Sequence, residues 1–366
     1  MEAKKRSKKL FNILDENLDA VIIKNYNLPY IDKNFFYFTG LEEGIFEGCV
    51  EVLFPDKNDD LIVSELEEES ARKSYANLKI YRDKESYDDI LKDSLSHVKN
   101  IGLNFNGVIY KDFLNLKEMF PNVNFIDVSD GFSRARLVKD EIEIINIRKA
   151  CEIADMVMGE IPNFLYEGIY EFELAAEIDY LMQKNGADNS AFNTISSFGK
   201  NSAEPHYAHG NVKLKKGDFV LCDFGARYKN YNSDITRTFV YGNASEKQRA
   251  MHRVVLEAQK IGFNQIKPGV KAFNVHNAVK KFIDDTEFKD RFIHSLGHSI
   301  GLSVHDIGAG FSVDCKVELE ENMVFTVEPG VYISGLGGVR IEDDILIKKD
   351  GIEILSKASR ELIEIQ

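Results

Sequence analysis

LCDFGARYKNYNSDITRTF (221–239) carries two aspartates, Asp223 and Asp234, eleven residues apart in apolar and β-branched surroundings. GDFVLCDFG (217–225) and YNSDITRTFV (231–240) read as strands, and the polar stretch Arg227–Asn230 as the turn joining them. A hairpin axis between Tyr228 and Lys229 sets the two aspartates directly opposite each other on one face, with Cβ atoms about 4.5–5.5 Å apart. Two anions facing each other repel unless a cation sits between them. The design recurs downstream. Glu328 in TVEPGVYI (326–333) and Glu342 in GGVRIEDDIL (337–346) are equidistant from Gly335, inside the glycine-rich turn SGLGG (334–338).

His298, in HSLGHSIGLSVHD (294–306), adds one imidazole to these four carboxylates. An oxygen-rich set with a single nitrogen suits Mn²⁺, Co²⁺ or Zn²⁺ better than a thiolate site would. Two hairpins, each presenting a carboxylate pair, can hold two divalent ions between them. Ions roughly 3.5–4 Å apart activate water and polarise a carbonyl, which is hydrolase chemistry. His294 and His305 flank His298, and His206 lies in EPHYAHG just upstream of the first aspartate strand. Taken singly, each residue has a blander reading, as a turn aspartate or a hydrogen-bonded core histidine. All five in order, in strand contexts, do not. His97, His252 and His276 fall on predicted helices and are read as structural.

Composition narrows the class. The formal net charge of -14 leaves no electrostatic footprint for nucleic acid. The one basic cluster, KKRSKK (4–9), reads as the solvated first turn of a helix. No apolar run approaches the roughly 18–20 residues that span a bilayer, so no membrane association is expected. LFNILDENLDA (10–20) is too broken by charge for a signal peptide. Cys49, Cys151, Cys222 and Cys315 are scattered without a CxxC pair, which suits reduced thiols and a cytoplasmic home.

A chain of 366 residues exceeds one ordinary core, so two domains are expected. Residues 1–132 alternate short strands and helices, a small mixed α/β domain. Residues 136–366 begin with a long helix capped by Asp140 and a second helix (171–186) closed by Gly186. Another helix pair, 245–263 and 270–284, is separated by Pro268-Gly269. Helix pair, strands, helix pair, strands is an internal pseudo-duplication. It predicts an α+β domain with an antiparallel sheet covered by helices on one face.

The segments LCDFG…NSDITRTF, HSLGHSIGLSVHD, FTVEPGVYI and GGVRIEDD resemble those of the metallopeptidases of family M24, the pita-bread fold, in its aminopeptidase P and prolidase branch. The likeness covers roughly 136–366 well. The N-terminal part resembles the creatinase-type domain more loosely. The resemblance implies that Asp223, Asp234, His298, Glu328 and Glu342 are the ligands of two divalent ions per subunit, Mn²⁺ first and Co²⁺ or Zn²⁺ as alternatives. Either aspartate could bridge. It further implies that a metal-bridging hydroxide attacks the scissile carbonyl and that Glu328 serves as general base and then acid. His206, His294 and His305 would line the substrate site, with His305 stabilising the tetrahedral intermediate. Arg340 would sit beside them, orienting the carboxylates. The implied substrates are peptides with proline second, and the implied assembly is a homodimer. Methionine aminopeptidases have a different last ligand motif, and creatinase does not keep the five ligands. Non-catalytic relatives of this fold have lost ligands too. One departure bears on specificity. Prolidase-like members carry a Pro and an Arg shortly after the His-Asp/Glu pair, whereas HDIGAGFSVDCKVELEEN (305–322) has neither. The expectation is therefore an Xaa-Pro aminopeptidase, with Xaa-Pro dipeptidase as the alternative.

Overall fold

The structure is a computed structural model describing residues 2–366. The chain divides into two compact units, one up to Arg136 and one from Leu137 onward.

In the first unit, helices α1 (Glu2–Ile13), α2 (Lys33–Thr39), α3 (Glu68–Ala71), α4 (Lys84–Ser94), α5 (Tyr110–Met119) and α6 (Ser129–Leu137) accompany six strands. These are β1 (Ala20–Lys24), β2 (Val50–Leu53), β3 (Asp60–Ser64), β4 (Asn77–Tyr81), β5 (Asn100–Leu103) and β6 (Asn124–Asp127). They form one mixed sheet in the order β4-β3-β2-β1-β5-β6. The basic cluster 4–9 departs from its sequence reading. Arg6 is buried, donates to the Tyr37 carbonyl and lies over the Tyr37 ring, and Lys9 donates to the Ala135 carbonyl. Long cationic side chains bury their stems while their heads find acceptors, so part of this run is packing rather than solvated turn.

The second unit opens with α7 (Glu141–Phe164), where the Asp140 side chain accepts from Glu143 N as the sequence suggests. Helix α8 (Glu171–Lys184) follows, with Gly186 at φ +99° just beyond it. Next come β7 (Asn189–Ser190), β8 (Ile195–Phe198), β9 (Phe219–Phe224), β10 (Ala226–Tyr228), β11 (Tyr231–Asn232) and β12 (Ile235–Tyr241). The second helix pair is α9 (Glu246–Gln265) and α10 (Ala272–Asp284). Strands β13 (Gly297–His298), β14 (Gly310–Phe311), β15 (Val324–Val327), β16 (Gly330–Ile333), β17 (Gly337–Arg340), β18 (Asp343–Lys348), β19 (Gly351–Ile354) and β20 (Glu364–Ile365) complete the chain. The single sheet expected from sequence is broken into ladders: β20-β12-β9-β8, β15-β18-β19 and β16-β17 among them.

Period-two alternation sorts each strand into a core face and a site face. On β9, Val220, Cys222 and Phe224 pack with α7 and α8 residues such as Ile153, Val157 and Leu174. Asp223 lies on the other face. On β15 and β17, Phe325, Val327 and Val339 join Val255, Ala258 and Val275 of α9 and α10. Thr326 and Arg340 therefore point away from the helices, and continuing the alternation puts Glu328 and Glu342 on that face as well.

Candidate metal centre

The β9–β12 hairpin differs in register from the sequence reading. Asp223 pairs with Thr236, not with Asp234. The axis falls between Lys229 and Asn230, at φ +49° and +67°, one position later than expected. Two consecutive residues with positive φ make the tight turn whose twist suits a hairpin, and Asn tolerates that region well. The shift is two residues in the pairing, so Asp223 and Asp234 remain on one face as diagonal neighbours. The second hairpin has the expected register, since Gly330↔Arg340 and Val327↔Asp343 both centre on Gly335. An isolated bridge between Thr236 and Glu342 brings the two hairpins together.

All nine residues singled out from sequence line one cavity of about 530 Å³: Asp223, Asp234, His298, Glu328, Glu342, His206, His294, His305 and Arg340. Ligand atoms of Asp234, His298 and Glu342 lie within 4.8 Å of one another. His298 Nε2 is 3.6 Å from both Asp234 Oδ2 and Glu328 Oε1. Its Nδ1 faces the Ser299 carbonyl at 3.2 Å, so the proton sits on Nδ1 and the Nε2 lone pair is free to coordinate. Asp223 Oδ1 and Asp234 Oδ1 are buried without a hydrogen-bond partner. Orphaned carboxylate oxygens beside a free imidazole nitrogen are what a divalent cation satisfies, so this donor set fits one.

The electrostatics agree. Burial, then Glu342 and Asp223, push the Asp234 carboxyl well above its usual range. Burial, then Glu328 and Asp223, do the same to Glu342. Burial raises Glu328 to about 7. Burial lowers His298 to about 4 and His294 to about 3, favouring neutral imidazoles. Desolvated carboxylates crowded together resist ionisation until a cation joins them.

Arg340 is the one Lys or Arg among the cavity-lining residues. Its guanidinium is largely committed: Nη2 donates to Asp223 Oδ2 at 2.5 Å, Nε to Thr236 Oγ1 at 3.0 Å, and Nη1 to Tyr332 Oη at 2.8 Å and Pro205 O at 3.4 Å. Tyr332 Oη also meets His294 Nε2 at 2.9 Å, and His305 stacks edge-on to His298 with ring centroids 4.2 Å apart.

Several supporting residues escaped the sequence reading. Thr236 Oγ1 donates to Glu342 Oε2 at 2.6 Å. Thr326 Oγ1 donates to Glu328 Oε1 at 3.3 Å and accepts from His298 N at 3.1 Å. Asp344 Oδ2 accepts from Asp234 N at 2.8 Å and from the Cys151 thiol at 3.3 Å. Thr236, Thr326 and Asp344 each stand two residues from a proposed ligand, so strand alternation carried a signal for them.

Residues 145–349 match the model of metallopeptidase family M24, and residues 6–138 match that of the creatinase/prolidase N-terminal domain. The chain belongs to metallopeptidase family M24. It is 39% identical to the Xaa-Pro dipeptidase of Pyrococcus horikoshii, over 97% of this chain and 98% of that one. It is 38% identical to the Xaa-Pro dipeptidase of Pyrococcus furiosus, over 98% and 100%. Among solved structures, the X-Pro aminopeptidase from Thermotoga maritima superposes with a TM-score of 0.91 at 33% identity, covering 98% of this chain and 100% of that one. The M24 fold expected from the motifs is thus present, as is the creatinase-type domain before it. Family membership makes the protein a divalent-metal hydrolase. Among the described residues no helix is long and apolar enough to cross a membrane.

Proposed function

We propose that this M24 enzyme hydrolyses the bond between an N-terminal residue and a following proline, as an Xaa-Pro dipeptidase. From sequence alone, that activity stands as the alternative to an Xaa-Pro aminopeptidase. The balance moves because two relatives matched over nearly their whole length are named Xaa-Pro dipeptidases. The supporting observation is the convergence of four carboxylates and His298 on one cavity. Asp223, Asp234, His298, Glu328 and Glu342 would hold two divalent ions, Mn²⁺ first, with Co²⁺ or Zn²⁺ as alternatives. Bound there, such ions supply Lewis acidity and lower the pKa of water.

The chain's own groups do the rest. Glu328, desolvated and oriented by Thr326, takes a proton from the attacking water at its carboxylate and returns it to the leaving imino nitrogen. His305 and His206 on the cavity wall face the charge that develops on the substrate carbonyl oxygen. His294, fixed between Ser295 O and Tyr332 Oη, shapes the wall. Arg340 holds Asp223 in place rather than meeting substrate. We place the enzyme in the cytoplasm as a homodimer.

One observation favours the aminopeptidase reading: with Arg340 committed, no other Lys or Arg among the described residues lines the cavity to neutralise a dipeptide's C-terminal carboxylate. Comparing kcat/KM for Ala-Pro and Ala-Pro-Ala with Mn²⁺ separates the two. A preference for the dipeptide supports dipeptidase activity, and a preference for the tripeptide overturns it.

A further inference from the structure

Gln259 lies on α9, fully buried beneath the site strands. Its Nε2 carries two N–H groups that three acceptors share: Val327 O at 3.0 Å, Ile341 O at 3.1 Å and Asp343 Oδ2 at 2.9 Å. All three partners are acceptors, which fixes the amide orientation. Its Oε1 has no partner, so the fold uses only the donor end.

Val327 and Ile341 are the residues immediately before Glu328 and Glu342. Both glutamates stand where the sheet comes apart. The β15–β18 ladder ends at Val327↔Asp343, and the β16–β17 ladder begins at Gly330↔Arg340. In the gap the backbone turns to other partners: Glu328 N donates to Leu296 O at 2.8 Å and Glu342 N to Thr236 O at 3.1 Å. Ile341 N still reaches Pro329 O at 3.4 Å. An antiparallel pair of that kind exchanges two hydrogen bonds, and proline has no N–H to return the second. The buried Ile341 carbonyl would be left without its ladder donor. Gln259 supplies it from the helix, and reaches Val327 O across the gap as well.

We propose that Gln259 is a positioning residue for the metal centre: by joining the carbonyls that precede Glu328 and Glu342, it sets how far apart those two carboxylates stand. The inference rests on reading both glutamates as metal ligands. Gln259→Met keeps the volume and removes the donors. Val279→Ala, on α10 in the same apolar core, makes no bond to these strands and serves as a packing control.

Isothermal titration of the chelator-stripped full chain with Mn²⁺ gives Kd for each protein, and thermal melts give the stability loss. Gln259→Met is expected to weaken Mn²⁺ binding by about 10–100-fold, the usual effect of losing a partner behind the ligands. Val279→Ala is expected to lower Tm and leave Kd unchanged. An unchanged Kd in Gln259→Met, or an equal weakening in Val279→Ala, overturns the role. If Gln259→Met does not fold, Gln259→Asn, one methylene too short to span both carbonyls, is measured instead, and wild-type affinity there also overturns it. A wild-type chain that binds no Mn²⁺, Co²⁺ or Zn²⁺ defeats the ligand reading itself.

Discussion

Thr236→Val is the sharpest small perturbation of the site. The hydroxyl donates to Glu342 Oε2 at 2.6 Å and accepts from Arg340 Nε at 3.0 Å. Valine keeps the β-branched shape and strand preference while deleting both bonds. A hydrogen bond to a charged group is worth about 1.5–3 kcal/mol, and a stranded buried donor costs about 1–3 kcal/mol. The extremes do not add, because Arg340 retains Asp223, Tyr332 and Pro205 as partners. A loss of about 2–4 kcal/mol in folding stability is the expected outcome. Glu342 also loses the group that aims one of its oxygens, so divalent-metal affinity should fall by about 10–100-fold. Urea unfolding of the metal-stripped protein reads the first quantity and Mn²⁺ titration the second. Wild-type values for both would mean that the Thr236 hydroxyl orients nothing.

Other outcomes are open to measurement. Asp223→Asn should fold normally, judged by circular dichroism, and lose Mn²⁺ stoichiometry together with turnover; full metal content would refute its place as a ligand. Glu51, with neither carboxylate oxygen hydrogen-bonded, has its carboxyl raised well above 4.5 by burial and then by Asp59. A raised folded pKa gives stability that is present below pH 4.5 and lost as pH climbs toward the folded value. Glu51→Gln should therefore gain on wild type as pH rises from 5, by up to about 1.4 kcal/mol per pH unit in urea unfolding; a pH-independent difference would contradict this. Ser245 caps α9 by accepting from Gln248 N. Ser245→Ala should cost about 1 kcal/mol, measured by urea unfolding, without changing Mn²⁺ affinity.

Local pattern carried much of this molecule. The alternation of Asp223 and Asp234 with apolar neighbours put them on one face, and the glycine turn at 334–338 set the register of the second hairpin. The helix start at Asp140 was readable because a short polar side chain before an apolar periodic run has one good use. What sequence could not supply lies in the third dimension. The first hairpin's register depended on whether Lys229 would join Asn230 at positive φ, a choice propensity does not make. The ladder break at Pro329 was visible as a proline, yet Gln259, seventy residues upstream, gave no hint that it fills the missing bond. Arg6 looked like surface charge because its acceptor, the Tyr37 carbonyl, is brought near only by packing of α1 against α2.

Five side chains on two hairpins and one connecting strand are proposed to make a metal-dependent peptidase for Xaa-Pro bonds. Ala-Pro hydrolysis by the full chain, assayed after exhaustive chelation and again after adding Mn²⁺, tests it directly. The expected result is loss of turnover on chelation and its return with the metal. Undiminished turnover in the stripped protein would contradict the claim.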